Sequence, residues 1–189
     1  MNKQSILNES KDSLRTGMFN LSDGRNVMKL DETDRFNVRS VIAYVDEERN
    51  VALGLCPVKI MLPFAFGCLA VCTEDILDGR EATRILLEEA AKEGIELPAA
   101  EFCVNYDRFG VGKGEAFLPS FHDLKKFSMQ GEVGKAWRRL GLEYNGTIWS
   151  STIGINFNAW MQSYDTATVT GWHIQYRTFG VIPVIEIPL

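Results

Sequence analysis

Every strong helix signal in this sequence falls between residues 79 and 141, with β-type sequence on both sides. Residues 38–44 and 51–55 are β-branched and apolar, and the Asp46-Glu47-Glu48-Arg49-Asn50 stretch between them reads as the turn of a β-hairpin. Residues 57–72 read as a buried, irregular stretch. Ala82, Ile85, Leu86 and Ala90 then recur at helical spacing over residues 79–93, with Asp78 placed to cap the free amides and Gly94 to stop the helix. A second helix is predicted from Ser120, where Ser120 and Asp123 have the form of a capping box; it, or a second piece, continues over residues 133–140 to Gly141. Residues 149–188 are rich in Trp, Ile, Val, Thr and Tyr, with turns predicted near Asn156, Asp165 and Gly171. Strands, two helices, then strands is an α+β order and excludes a βαβ series. Residues 1–35 are polar and read as an N-terminal arm with little regular structure, packing either on a neighbour or on the domain, leaving 36–189 as the domain.

Composition narrows the function. A net charge of −5 and a pI near 5.1 disfavour nucleic acid, because phosphate binding needs a concentrated basic surface. The one basic cluster, Lys125, Lys126, Lys135, Arg138 and Arg139, reads as a solvated helix face. The longest apolar stretch, residues 60–72, is too short to span a bilayer and contains Pro63 and Gly67. Residues 1–16 carry no apolar signal-type segment, which leaves the compartment open: a phage particle, or a cell surface reached by another route. Cys56, Cys68, Cys72 and Cys103 read as buried free thiols. No second cysteine pair or nearby histidine completes a zinc site, and no EF-hand pattern is present, so neither metal nor cofactor is expected.

Enzyme signals are missing. Gly110 to Gly114 form a flexible loop, not a phosphate loop, because Gly112-Lys113 is followed by Gly rather than Ser or Thr. His122 and His173 are the only histidines, and neither is joined to a nucleophile by a recognisable local pattern. The unusual feature is aromatic. Trp149, Phe157, Trp160, Tyr164, Trp172, Tyr176 and Phe179 are interleaved with Asn, Gln and Ser, a composition that recognition surfaces use. Trp149 and Trp160 are assigned to the core. The proposed binding face is Ile155, Asn156, Phe157, Ser163, Tyr164, Trp172, His173, Gln175 and Tyr176; the alternative puts Trp172 and Tyr176 in the core on a strand.

Several segments resemble a known family. Phe117-Leu118-Pro119-Ser120 with Asp123-Leu124, Trp149-Ser150-Ser151-Thr152 followed by Ala159-Trp160, residues 177–184, and residues 41–46 are similar, in order, to motifs of the bacterial FISUMP/Lcl-type domains. Asp78-Gly79 with Thr83, and Pro98-Ala99-Ala100, match that family's first-helix region. The resemblance implies a C-type lectin-like fold: paired terminal strands, two helices flanking antiparallel sheets, and a long C-terminal loop and strand region for binding. It extends to the variable proteins of diversity-generating retroelements, in which residues 153–176 would display the varied side chains. The calcium and sugar tripeptides of animal lectins are missing, so calcium-dependent sugar binding is not implied. Sulfatase-modifying enzymes share the broad fold but depend on late cysteines, and this chain has none after Cys103. The expectation is a non-enzymatic protein of bacterial or phage origin that displays a binding surface to a protein or glycan on another cell or molecule. The alternative is a structural subunit of a fibre or cell-surface assembly.

Overall fold

The computed structural model describes residues 13–127, 129–143, 145–165, 169–173 and 177–189, without the side chains of 169–173. It is α+β, with two five-stranded sheets and four short helices among the described residues. The predicted hairpin is β3 (Val38–Asp46) with β4 (Val51–Leu55), turned through Asn50 at φ 56°, a left-handed conformation that asparagine tolerates. The C-terminal strand β10 (Val184–Pro188) lies on the far side of β4. The family resemblance implied paired terminal strands; instead β10 pairs with β4, and the N-terminal strand lies across β3. Both faces of this sheet are covered. Val41, Ala43, Leu53 and Leu55 enter one core cluster, and Ile42, Ala52, Ile185 and Ile187 another, which explains why these strands read as near-continuous apolar runs.

The reading of little regular structure in the N-terminal arm is corrected for residues 19–27. Residues 19–21 form β1 (Phe19–Leu21), paired with β3 through Phe19 and Val41 and with β2 (Asn26–Val27) at the sheet edge. Met18, Phe19 and Leu21 are fully buried. Three apolar residues within polar sequence are too few to show a period, yet Phe19 and Leu21 enter one core cluster and Met18 another.

The second sheet has the order β5-β9-β6-β7-β8, formed by β5 (Ile60–Pro63), β6 (Thr147–Ile153), β7 (Asn158–Ser163), β8 (Val169–His173) and β9 (Thr178–Val181). Its pairs are antiparallel except β6 with β9. Gly171 lies inside β8, not in a turn: the ladder to β7 runs through it without interruption. Among the cysteines, Cys56 and Cys103 are buried as expected, but Cys68 and Cys72 are exposed, because the segment after β5 runs along the surface with alternate residues facing out.

The helices are α1 (Gly79–Glu93), α2 (Pro98–Val104), α3 (Phe121–Lys126) and α4 (Glu132–Arg139). Two were expected. Pro98 at the first position opens α2, and Phe127 and Met129 turn into the core between α3 and α4, so that residues 133–140 belong to a second piece rather than to a continuation of α3. Asp78 caps α1, accepting from the amides of Arg80 and Glu81 at 2.8 and 3.1 Å. The Ser120–Asp123 capping box is present.

Asp123 does more than cap its own helix. Its Oδ2 accepts from the Ser120 amide at 2.9 Å and from the Gly79 amide at 3.1 Å, joining the starts of α1 and α3. A β-carbon at residue 79 would stand 2.5 Å from that oxygen, so glycine is required there. Burial raises the pKa of Asp123 above the ordinary carboxyl value, with the Ser120 hydrogen bonds opposing. A carboxyl whose folded pKa is raised loses stability as pH climbs from its unfolded value through its folded value. Asp123→Asn keeps an acceptor oxygen and has no charge to bury. Its stability relative to wild type should therefore improve as pH rises from about 4 to about 7, whereas Asp123→Ala should lose about 1–3 kcal/mol throughout. Urea unfolding across that range checks both, and a flat difference between wild type and the asparagine variant would refute the burial argument.

Candidate contact surface at the β6–β7 turn

The end of the second sheet is built by three segments held together by side-chain hydroxyls. Thr73 donates its amide to the Ile153 carbonyl at 2.9 Å and its hydroxyl to the Ser151 carbonyl at 2.8 Å, and its Oγ1 accepts the Ile153 amide at 2.8 Å. The Ser120 hydroxyl donates to the Leu77 carbonyl at 2.7 Å, and the Phe121 amide donates to Thr152 Oγ1 at 2.9 Å. Residues 73–77, the start of α3 and the β6–β7 hairpin are thereby fixed side by side. Each threonine and serine satisfies backbone groups that irregular chain would otherwise leave unpaired.

On this frame the turn of residues 154–157 projects outward. The Gly154 amide donates to the Asn158 carbonyl at 3.1 Å, and the Phe157 amide to the Gly154 carbonyl at 2.9 Å. Phe157 has φ 56°, a left-handed conformation uncommon for an aromatic residue, and its side chain is 42% exposed. Ile155 is 75% exposed and Asn156 is exposed; Leu77 on the neighbouring segment is 63% exposed. Strain and apolar exposure at one turn are both unfavourable in an isolated domain, and both are features of contact sites.

Trp160 borders this surface. It was assigned to the core but is half-buried. Its ring stands edge-on to Phe121 at 5.0 Å, while the residue opposite it in β8 is Gly171, which has no side chain to cover it. A β-carbon at residue 154 would lie 2.6 Å from the Trp160 indole nitrogen, so glycine is required there too. Lys125 lies over the other partner, Phe121, at 4.4 Å. His122 and Phe121 make an edge contact at 6.3 Å.

The sequence-predicted face divides. Ile155, Asn156 and Phe157 occupy the turn. Ser163 and Tyr164 lie at the opposite end of β7, roughly 20 Å away along the strand, and both are half-buried. Tyr164 is corrected as a free surface residue: its hydroxyl donates to the Leu124 carbonyl at 3.2 Å, its ring packs against the core beneath α3, and burial raises its pKa. What remains exposed of it borders a cleft of about 310 Å³ with Arg138, Glu143, Asn145 and Asp165. The backbones of Trp172 and His173 lie in β8 opposite Ala159 and Asn158; their side chains, and residues Gln175 and Tyr176, lie outside the described residues. Leu77 was missed by sequence reasoning. Its signal is an apolar residue in the acidic stretch Glu74-Asp75-Ile76-Leu77-Asp78, and nothing local places that stretch beside residue 153. Among the described residues, no three His, Cys, Asp or Glu side chains are grouped to hold a metal ion.

No protein-family model and no curated protein matches the sequence. Among solved structures, a fimbrial protein from Bacteroides ovatus is similar, with a TM-score of 0.72 at 12% sequence identity. The match covers 92% of this chain and 49% of that protein, so the chain spans about half its length. At this identity the likeness is one of fold.

Proposed function

We propose that this chain is a non-catalytic subunit of a fibre or cell-surface assembly, and that the 154–157 turn with Leu77 is a surface through which it docks a partner protein. The observation that carries the reading is the turn itself. Ile155 and Phe157 project into solvent from a strained backbone that three hydroxyl-bonded segments hold rigid. A rigid apolar projection loses little conformational freedom on binding, which favours its use as an anchor. The fold shared with a fimbrial protein supports the assembly reading.

The test is incorporation. In the producing cell, wild-type protein should fractionate with high-molecular-weight surface material. A folded Ile155→Asp, Phe157→Asp double variant should fall roughly tenfold in that fraction, as loss of two exposed anchors at a contact implies. Unchanged incorporation, or wild-type protein found only as a free monomer, would overturn the proposal. A second reading is display of ligand-binding side chains on a C-type lectin-like scaffold, varied by a retroelement; it draws on the family resemblance and on the same exposed turn. Binding of the isolated chain to a defined glycan or receptor, lost in the double variant, would favour it.

A further inference from the structure

The stretch from Ile60 to Thr73 carries no charged residue, in a chain of net charge −5. Beyond β5 it leaves the sheet and runs along the surface. The Phe66 amide donates to the Glu96 carbonyl at 3.0 Å, and the Thr73 amide to Ile153. Between these two anchors, no amide or carbonyl of residues 67–72 takes part in a hydrogen bond among the described residues. Burial alternates with a period of two: Leu69 and Thr73 are fully buried and Val71 partly so, while Phe66, Cys68, Ala70 and Cys72 are exposed. That period identifies an extended chain, and an extended chain with unpaired backbone and an apolar outer row is a template for another strand.

The sequence of this strip reads nearly the same in both directions about Ala70, as Cys68-Leu69-Ala70-Val71-Cys72. We infer that the strip pairs with the same strip of a second copy, antiparallel about a two-fold axis at Ala70. In that register Ala70 faces Ala70 of the second copy, Leu69 faces Val71, and Cys68 faces Cys72 on the exposed side. The contact is self-complementary, as a two-fold interface must be, and it lets two acidic molecules approach along an uncharged edge. Directly opposed residues of an antiparallel pair have β-carbons about 4.5–5.5 Å apart, close to the span of a disulfide, so the dimer can be locked by two symmetric bridges. Within one chain, Cys68 and Cys72 are four extended residues apart, about 13 Å, too far for a bridge. Each bridge removes two electrons and two protons from two thiols; oxidised glutathione accepts them and leaves as two glutathione thiols. This inference uses different residues from the β6–β7 turn and stands apart from the assembly reading.

The register supplies its own test. Full-length wild-type protein incubated with oxidised glutathione should give a covalent dimer on a non-reducing gel, with Cys68 joined to Cys72 in the mapped peptides. Cys68→Ser alone and Cys72→Ser alone should each give roughly tenfold less dimer, since each leaves every thiol facing a serine. An equimolar mixture of the two variants should restore cross-linking to about half of the chains, because random pairing of a two-fold dimer makes one heterodimer in two. Ala70→Arg, which places two like charges on the axis, should slow cross-linking roughly tenfold while its thiols react with iodoacetamide at the wild-type rate. Single variants that cross-link as well as wild type would reduce the observation to random oxidation of surface thiols and overturn the inference. So would a wild-type protein that yields only glutathionylated monomer.

Discussion

Truncating Trp149 to alanine is expected to lower the melting temperature by roughly 10 °C, a loss of about 3–5 kcal/mol. Trp149 is fully buried. Its ring stands edge-on to Phe64 at 5.4 Å and to Phe179 at 4.7 Å, and its indole nitrogen donates to the Leu62 carbonyl at 3.1 Å. One side chain thus ties β6 to β9 and to the C-terminal end of β5. Alanine would lose the transfer energy of the ring and leave a cavity that strands cannot collapse to fill. Trp149→Phe should cost less, about 1–2 kcal/mol, because it keeps an aromatic partner and loses the hydrogen bond. Trp160→Ala is the internal control. That residue is only partly buried, so calorimetry should find a loss clearly smaller than for Trp149→Ala; equal losses would contradict the burial described for the two tryptophans.

The second large effect is expected at the N-terminal end of the described chain. Phe19→Ala should cost about 3–5 kcal/mol, and deletion of residues 1–24 should leave a chain without a cooperative thermal transition. Phe19 is fully buried in the cluster that includes Val41, Leu55, Phe127 and Trp137. The preceding Gly17 amide donates to the Ile42 carbonyl at 2.8 Å. Gly17 itself has φ 88°, and a β-carbon there would lie 2.7 Å from the β-carbon of Glu132, so the segment is fitted to α4 as well as to β3. An accessory arm could be removed with no change in melting. Circular dichroism of the deletion and calorimetry of Phe19→Ala decide between arm and core strand.

The contrast between these residues explains what the sequence made legible. Residues with a local signal were found: Asp78 and Gly94 at the ends of α1, the Ser120–Asp123 box, and the acidic turn between β3 and β4. Each is a contact between neighbours in the chain. Phe19 was missed because its partners, Val41 and Trp137, are distant in sequence and a three-residue strand has no period to read. The break between α3 and α4 was left open for a related reason: Phe127 and Met129 continue an apolar pattern that tertiary packing converts into a turn. At the candidate surface, Ile155 and Phe157 stood out as apolar residues beside the turn predicted near Asn156, whereas Leu77 is held at that end of the sheet by the Ser120 hydroxyl, a contact distant in sequence. Tyr164 is of the residue type that recognition surfaces use, and only its contacts with the end of α3 and the core beneath leave it half-buried.

The placement of β10 has a consequence for how the protein is made. Val184 to Pro188 hydrogen-bond along β4, more than a hundred residues earlier in the chain, and Val184 also exchanges both backbone hydrogen bonds with Phe117. Strand β4 emerges from the ribosome before β10, and it then has an open edge for on the order of ten seconds at ordinary elongation rates. Over that interval the nascent chain presents apolar strand sequence with its last neighbour not yet translated. Completion of this sheet therefore waits until β10 has been made, and it requires a pairing of high contact order, which is slow to form. A factor that shields β4 during elongation would raise the yield of native protein without altering the stability of the finished fold.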